Sequence, residues 1–373
     1  MPDTRYKVVA DKVLFFSVLF LSLFGLVMQY SAGSYGAMLE TGDSFFYVKK
    51  QAVALAVAIA VYLVMTMLDT RHYFRFRFII LGIAVILLAL VFIPGVGVEN
   101  YGATRWINLG FTTFQPSDYA KFALVIFIAA CFSRKSAVTF GNMIPVLLAA
   151  LIICVLIMLE PNMSITMCVA FVVIIMLFVG GAKLKHFALM AVPAVVVVIA
   201  LIALEPYRLK RIVAFLDPWS SPLGEGYQLI QSYYALGAGG LFGVGLFNSR
   251  QKYLFLPFAE SDFIFSVIGE ELGWFGCLII MLIYAIIIWR GILIALRASS
   301  RFDSYLAAGI TSIIAVQTLL NIAVVTGSIP PTGLPLPFIS AGGTSLVMFM
   351  SGVGILERIA AKSHKSVAHH KMY

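Results

Sequence analysis

The sequence predicts an all-α polytopic membrane protein: one membrane domain over residues 1–373, ten transmembrane helices, and a large extracytoplasmic loop between helices 7 and 8. Three observations carry this. The 373 residues are 61% hydrophobic and 12% charged, with mean hydropathy +1.00, whereas about a quarter of a soluble domain is charged. Charge-free runs recur at lengths that suit a bilayer crossing, which takes roughly 20 residues. The basic residues gather in alternate loops, as the positive-inside bias requires.

In chain order the runs are 13–35, 51–68, 78–98, 122–133, 136–159, 161–182, 187–204 and 274–289. The first lacks a cleavage site and is long enough to remain as a span. The fourth is short, but Asp118 and Lys121 extend it at its interfacial end, on one helix face where they can pair. Residues 304–356 form one uncharged stretch of 53. GSIPPTGLPLP at 327–337 interrupts it, because proline removes backbone donors and breaks helices; the stretch therefore supplies two spans. The run GYQLIQSYYALGAGGLFGVGLF, 226–247, holds six glycines in 22 residues. If it crossed, every later loop would change sides and Arg290, Arg297 and Arg301 would face outward. It is therefore read as re-entrant or interfacial, within an extracytoplasmic loop 205–273 that also has an amphipathic segment.

Ten spans put both termini on one side, together with 17 of the 26 lysines and arginines. That side is the cytoplasm. The net charge of +9 thus reads as anchoring loops of a cell-membrane protein, with no nucleic-acid partner implied. Cys131, Cys154, Cys168 and Cys277 sit in apolar runs, with spacing that suits neither a metal nor redox work. The outer face receives 32–50, 94–120, a turn at Glu160, the loop 205–273 and 327–337. Any chemistry is expected there.

Several of these segments have something to explain. GATRWINLG, 102–110, sets Arg105 beside Trp106, either as interface anchors or as a clamp for a lipid phosphate. TFQPSDYAKFA, 113–123, starts a helix at Pro116, with Gln115 before it, Ser117 placed to cap it, and Lys121 inside the membrane end. Arg208, Lys210 and Arg211 share an amphipathic rhythm with Ile212, Phe215 and Leu216, which fits a helix lying under lipid phosphates or a solvated cluster. NSRQKYLFLPFAESDF, 248–263, brings Arg250 close in sequence to Asp262. A carboxylate at that border, in a partly apolar cleft, has its pKa raised and can accept a proton from a hydroxyl. Glu270 and Glu271 are expected to cap and solubilise the helix that follows. In TGSIPPTGLPLPFISAGGTSL, 326–346, the N–H groups of Gly342 and Gly343 can hold an anion at a helix start, unless the segment is only a tight turn.

The same segments, in this order, make the chain resemble the SEDS family of FtsW, RodA and SpoVE, closest to its FtsW/SpoVE branch. The markers are GATRWINLG, QPSDYAK, FLDPW, GEGYQLIQS, GAGGLFGVGL, NSRQKYLFLP, SDFIFSVIGEELG and PPTGLPLPFISAGG. The resemblance implies a peptidoglycan glycosyltransferase that polymerises lipid II at the outer face of the membrane, for the division septum or the spore cortex. It implies Asp262 as the catalytic carboxylate, kept in an E-S-D-F-I-F setting where the family usually reads H-T-D-F-I-F. It implies substrate contacts from Arg105, Trp106, Gln115, Ser117, Lys121, Arg208, Arg211, Arg250, Ser340, Gly342 and Gly343. Two departures stand out. Glu160-Pro161-Asn162-Met163-Ser164 replaces a Q-P-D-x-G-T turn, and Ser340-Ala341-Gly342-Gly343 replaces S-Y-G-G.

The resemblance also implies partners: a class B penicillin-binding protein and other division or sporulation membrane proteins. No metal-ligand cluster is legible, so a Mg2+ or Mn2+ ion would have to arrive with the diphosphate. Two rival readings are a lipid II flippase and a non-catalytic scaffold. A flippase is expected to show inverted repeats and charges at the bilayer midplane. This chain shows no convincing repeat, and most of the charges off its cytoplasmic side border the outer face.

Overall fold

The computed structural model describes residues 10–100, 103–110, 112–134, 140–190 and 206–370, without the side chains of residues 100, 206–209, 212 and 364–370. The described helices are α1 (Lys12–Thr41), α2 (Phe46–Met67), α3 (Thr70–Arg75), α4 (Arg77–Leu90), α5 (Pro116–Ser133), α6 (Phe140–Leu159), α7 (Met163–Val179), α8 (Pro206–Leu216), α9 (Tyr227–Gly239), α10 (Ile264–Leu296), α11 (Arg301–Val325) and α12 (Gly343–His370). Among the described residues, seven helices are long and apolar enough to cross a membrane: α1, α2, α5, α6, α10, α11 and the first 21 residues of α12. α4 and α7 are shorter and apolar. These nine coincide with nine of the ten expected spans. Most of the remaining one, 187–204, lies outside the described residues.

Three short strands add to the helices. β1 (Gly97–Asn100), β2 (Ala103–Asn108) and β3 (Thr113–Phe114) form an antiparallel sheet in the order β1-β2-β3. Hydropathy alone gives no sign of it, because the strands lie between apolar runs. The sheet presents Arg105 and Trp106 at one end of the bundle.

α5 is the most buried helix. Asp118 and Lys121 are each 2% exposed and form an ion pair at 2.8 Å. Buried charges are tolerated when each has a partner and further hydrogen bonds. Lys121 has both, since its Nζ also donates to Gln317 Oε1 at 2.6 Å. Gln317 in turn donates to Pro335 O at 2.9 Å. One turn further along α11, Asn321 Nδ2 donates to Leu334 O (2.6 Å) and to Asp262 O (2.8 Å). Residues four apart share a helix face, so α11 uses one polar stripe to hold the proline-rich segment.

Segment 226–247 does not form one long helix. α9 has 13 residues and ends at Gly239, about 20 Å at 1.5 Å per residue and short of a crossing. The chain then turns back against α10. Val244 N and Gly245 N donate to the carbonyls of Glu270 and Glu271 (2.9 and 3.0 Å), and Trp274 N donates to Gly240 O (2.9 Å). α10 breaks at Gly273, whose φ of +69° is left-handed. Any Cβ there would collide with the backbone of residues 241 and 243, so the break needs glycine. Glu270 and Glu271 are 1% and 0% exposed. They do not solubilise the helix. Their carboxylates accept the backbone N–H of Ser249 (3.1 Å) and Arg250 (2.9 Å) and order that turn.

At the far end of the bundle, Glu357 of α12 accepts the N–H groups of Ala10 and Asp11, both at 2.7 Å. Asp11 caps α1 through Leu14 N (3.1 Å) and accepts from Arg290 Nε (2.8 Å). Lys362 pairs with Asp303 at 2.7 Å. The charges at this end tie α1, α10, α11 and α12 together.

Candidate functional site

A cavity of about 1960 Å³ opens at the sheet end of the bundle. Polar groups line one part: Arg105 and Trp106 of β2, Gln115, Arg211 of α8, and Glu260 and Asp262 of the loop before α10. Apolar side chains line another: Val53, Ala54 and Val57 of α2, Leu151, Val155 and Met158 of α6, and Val347 and Met348 of α12. A cavity with a charged mouth and an apolar flank suits an amphiphile with an anionic head.

Asp262 stands at the centre of the polar part, half-buried. Its backbone is fixed by Asn321. The proline-rich segment backs it so closely that a Cβ at Gly333 would stand 2.8 Å from Asp262 Oδ2. Gly333 has a φ of +58° and carries no such atom. Burial raises the Asp262 pKa to about 6; Glu260 pushes it further up, while Arg105 and Arg211 draw it down. At neutral pH the carboxylate is ionised and still basic enough to accept a proton. Glu260 is also raised, by burial first and by Glu40.

Carbonyl oxygens orient both arginines. Arg105 Nε donates to Glu160 O (3.2 Å) and its terminal nitrogen to Pro161 O (2.6 Å). Arg211 donates to Pro331 O at 3.2 Å. The Glu160–Ser164 turn therefore belongs to the site: Pro161, Asn162, Met163 and Ser164 line the cavity. Asn162 caps α7 by accepting from Ile165 N (3.3 Å), and Ser164 Oγ donates to Thr332 O. The Glu160 side chain points away into the protein. It is 0% exposed, its carboxyl oxygens make no hydrogen bond among the described residues, and burial raises its pKa to about 8 against the pull of Arg105.

The structure thus brings Asp262, Arg105, Trp106, Gln115, Arg211, Gly342 and Gly343 to one cavity. Four expected contacts lie elsewhere, and a fifth falls outside the described side chains. Lys121 lies behind the wall, held in the Asp118–Gln317 network. Ser117 is fully buried and caps nothing, since the helix starts from Gln115 without a side-chain cap. Arg250 is exposed and does not line the cavity, and its backbone is tied to Glu270. Ser340 is a tether: its Oγ accepts from Leu336 N (2.7 Å) and donates to Ser261 O (2.6 Å). The side chain of Arg208, on α8, lies outside the described part.

Sequence reasoning missed Glu260, Lys50, Gln51, Gln317 and Asn321. The last two carried a legible signal, two amides four residues apart in an apolar helix. Among the described residues no group of three or more His, Cys, Asp or Glu could hold a metal ion.

A family model described as "Cell cycle protein", FTSW_RODA_SPOVE, matches residues 11–365. Stage V sporulation protein E of Bacillus subtilis is 39% identical over 363 residues, covering 96% of this chain and 99% of that protein. "Probable peptidoglycan glycosyltransferase FtsW" of Trichlorobacter lovleyi is 40% identical over 354 residues, covering 94% and 93%. Among solved structures, one described as "Structural coordination of polymerization and crosslinking by a peptidoglycan synthase complex" matches with a TM-score of 0.80 at 28% identity, over 97% of this chain and 99% of that one. The rod shape determining protein RodA of Thermus thermophilus matches with a TM-score of 0.68 at 25% identity, over 96% and 98%.

Proposed function

The chain belongs to the FtsW/RodA/SpoVE family, and from that premise we propose that it is a peptidoglycan glycosyltransferase. It is a multi-pass membrane protein that polymerises lipid II into glycan strands, for the division septum or the spore cortex. The basic end of the bundle and both termini face the cytoplasm, by the positive-inside bias. The cavity then faces outward, and α9 with the broken start of α10 forms a re-entrant unit beside it.

The observation that carries this reading is an acid of raised pKa on the wall of a mainly apolar cavity with a polar part, with two oriented arginines beside it. The reaction needs those parts. The 4-hydroxyl oxygen of the acceptor attacks C1 of the donor sugar. Asp262 takes the hydroxyl proton. The C1–oxygen bond to the diphosphate breaks, and its electron pair leaves with the diphosphate. Arg105 and Arg211 stabilise the charge that develops there. An α-linked donor gives a β(1→4) bond in one displacement, so no covalent enzyme intermediate forms and one carboxylate suffices. Any divalent ion arrives with the diphosphate. The apolar walls of α2, α6 and α12 receive prenyl chains. A class B penicillin-binding protein is the fitting partner for crosslinking.

The test uses purified protein in vesicles with labelled lipid II. The wild type forms polymer, and Asp262→Asn inserts normally but forms none. Polymer of normal yield from the variant removes Asp262 from the mechanism. Transbilayer flux of labelled lipid without polymer assigns the protein as a carrier instead.

A further inference from the structure

We propose that the cavity contains a second anion subsite, built by Lys50, Gln51 and the N-terminus of α12, which holds the diphosphate that the acceptor keeps. The proposal rests on the glycosyltransferase reading. In that reaction both sugars are lipid-linked, so two diphosphates occupy the site at once. One leaves from the carbon under attack, next to the base. The other stays on the acceptor, a disaccharide away from its attacking hydroxyl. Arg105 and Arg211 are the cations that act on Asp262, which places the leaving diphosphate with them. The acceptor's diphosphate needs a different pole.

Lys50 and Gln51 of α2 line the same cavity, together with Gly343, Thr344 and Ser345 of α12. α12 is 28 residues long. Its first helical bond runs from Leu346 N to Gly342 O at 3.0 Å. The N–H groups of residues 343–345 therefore have no acceptor within the helix, and the helix dipole adds positive charge there. A helix start alone proves nothing. Gln51 supplies the independent observation. It is 6% exposed, and its Oε1 accepts from Gly342 N at 3.2 Å. That bond fixes the sense of the amide, because an N–H must face an oxygen. The Nε2 donor is then at the other end, buried and without a hydrogen-bond partner among the described residues. Buried donors are almost always satisfied, so this one is waiting for an acceptor.

The charges agree. Lys49 is paired with Asp43 at 2.7 Å, whereas its neighbour Lys50 lines the cavity and makes no ion pair among the described residues. The subsite is also fixed relative to the base. Ala341 N donates to Glu260 O (3.0 Å), and Ser340 Oγ donates to Ser261 O (2.6 Å). These bonds tie the start of α12 to the loop that carries Asp262.

The experiment counts bound undecaprenyl diphosphate on the purified full-length protein by native mass spectrometry, over a titration. The wild type is expected to bind two. Gln51→Glu keeps an acceptor for Gly342 N–H, so the helix start survives, but it replaces the free donor with a negative oxygen. It is expected to weaken one site by at least about tenfold and leave the other. Lys50→Ala, an exposed change, weakens the same site, and Arg211→Ala weakens the other. A single diphosphate on the wild type, or two of unchanged affinity on Gln51→Glu, overturns the proposal. Binding needs no turnover, so the two readings fail separately. Two bound diphosphates with no polymer from lipid II sink the reaction and leave the subsite. Polymer with one bound diphosphate does the reverse.

Discussion

Acidification offers the sharpest test of Asp262. Its pKa is raised to about 6 by burial and by Glu260. Above that value the carboxylate is free to take a proton; below it the group is already protonated. The ionised fraction falls from nearly all at about pH 7.5 to about one-tenth at about pH 5. If Asp262 is the base, the polymerisation rate falls about tenfold over that range, with a midpoint near 6. Unfolding does not mimic this. A carboxyl whose folded pKa lies above its unfolded value binds the proton more tightly when native, so this group adds stability as pH falls. The charged groups that act on it are Glu260, Arg105 and Arg211. Glu260→Gln removes a raising influence and moves the midpoint to lower pH. Arg211→Ala moves it to higher pH. The assay is initial-rate polymerisation of labelled lipid II in vesicles across that pH range. General-base assistance is worth about 100- to 10,000-fold, or about 3–5 kcal/mol of barrier. A rate that stays flat down to about pH 5, or more than about a tenth of the wild-type rate in Asp262→Asn, refutes the assignment.

Two further predictions follow from the walls of the site. Glu160, fully buried with its pKa raised to about 8, holds a proton that the unfolded chain releases near its ordinary value. Stability therefore falls as pH rises between those values, by at most about 1.4 kcal/mol per unit. Glu160→Gln should flatten the melting temperature against pH and raise it most in alkali; parallel curves would exclude the effect. Gly333→Ala adds a Cβ 2.8 Å from Asp262 Oδ2 at a φ of +58°. The backbone strain is about 1–2 kcal/mol, a shift of a few degrees in melting, but the displaced carboxyl should slow polymerisation more than tenfold. An unchanged rate would show that the carboxyl position is not critical.

The membrane class and nine of the spans were legible because bilayer crossing imposes a local rule. Every span must be apolar over a set length, and length and hydropathy are properties of the chain alone. The proline-rich break at 327–337 and the short helix in 226–247 were legible for a similar reason, since proline and glycine act on their own backbone. Asp262, Arg105 and Arg211 could be singled out as charges at the edge of apolar runs.

Where each charge sits, and with what partner, was decided by tertiary packing. Lys121 and Arg250 looked equivalent as cations near the site, yet one is buried in an ion pair with Asp118 and the other is exposed and does not line the cavity. Ser340 looked like a substrate contact and is a tether between two loops. Glu260 and Gln51 are ordinary residues in the sequence. They matter because segments more than 200 residues apart meet at one wall, where Gln51 accepts from Gly342. Composition and periodicity report what a residue can do with its neighbours in the chain. Desolvation and pairing depend on neighbours in space, and only the folded bundle supplies those.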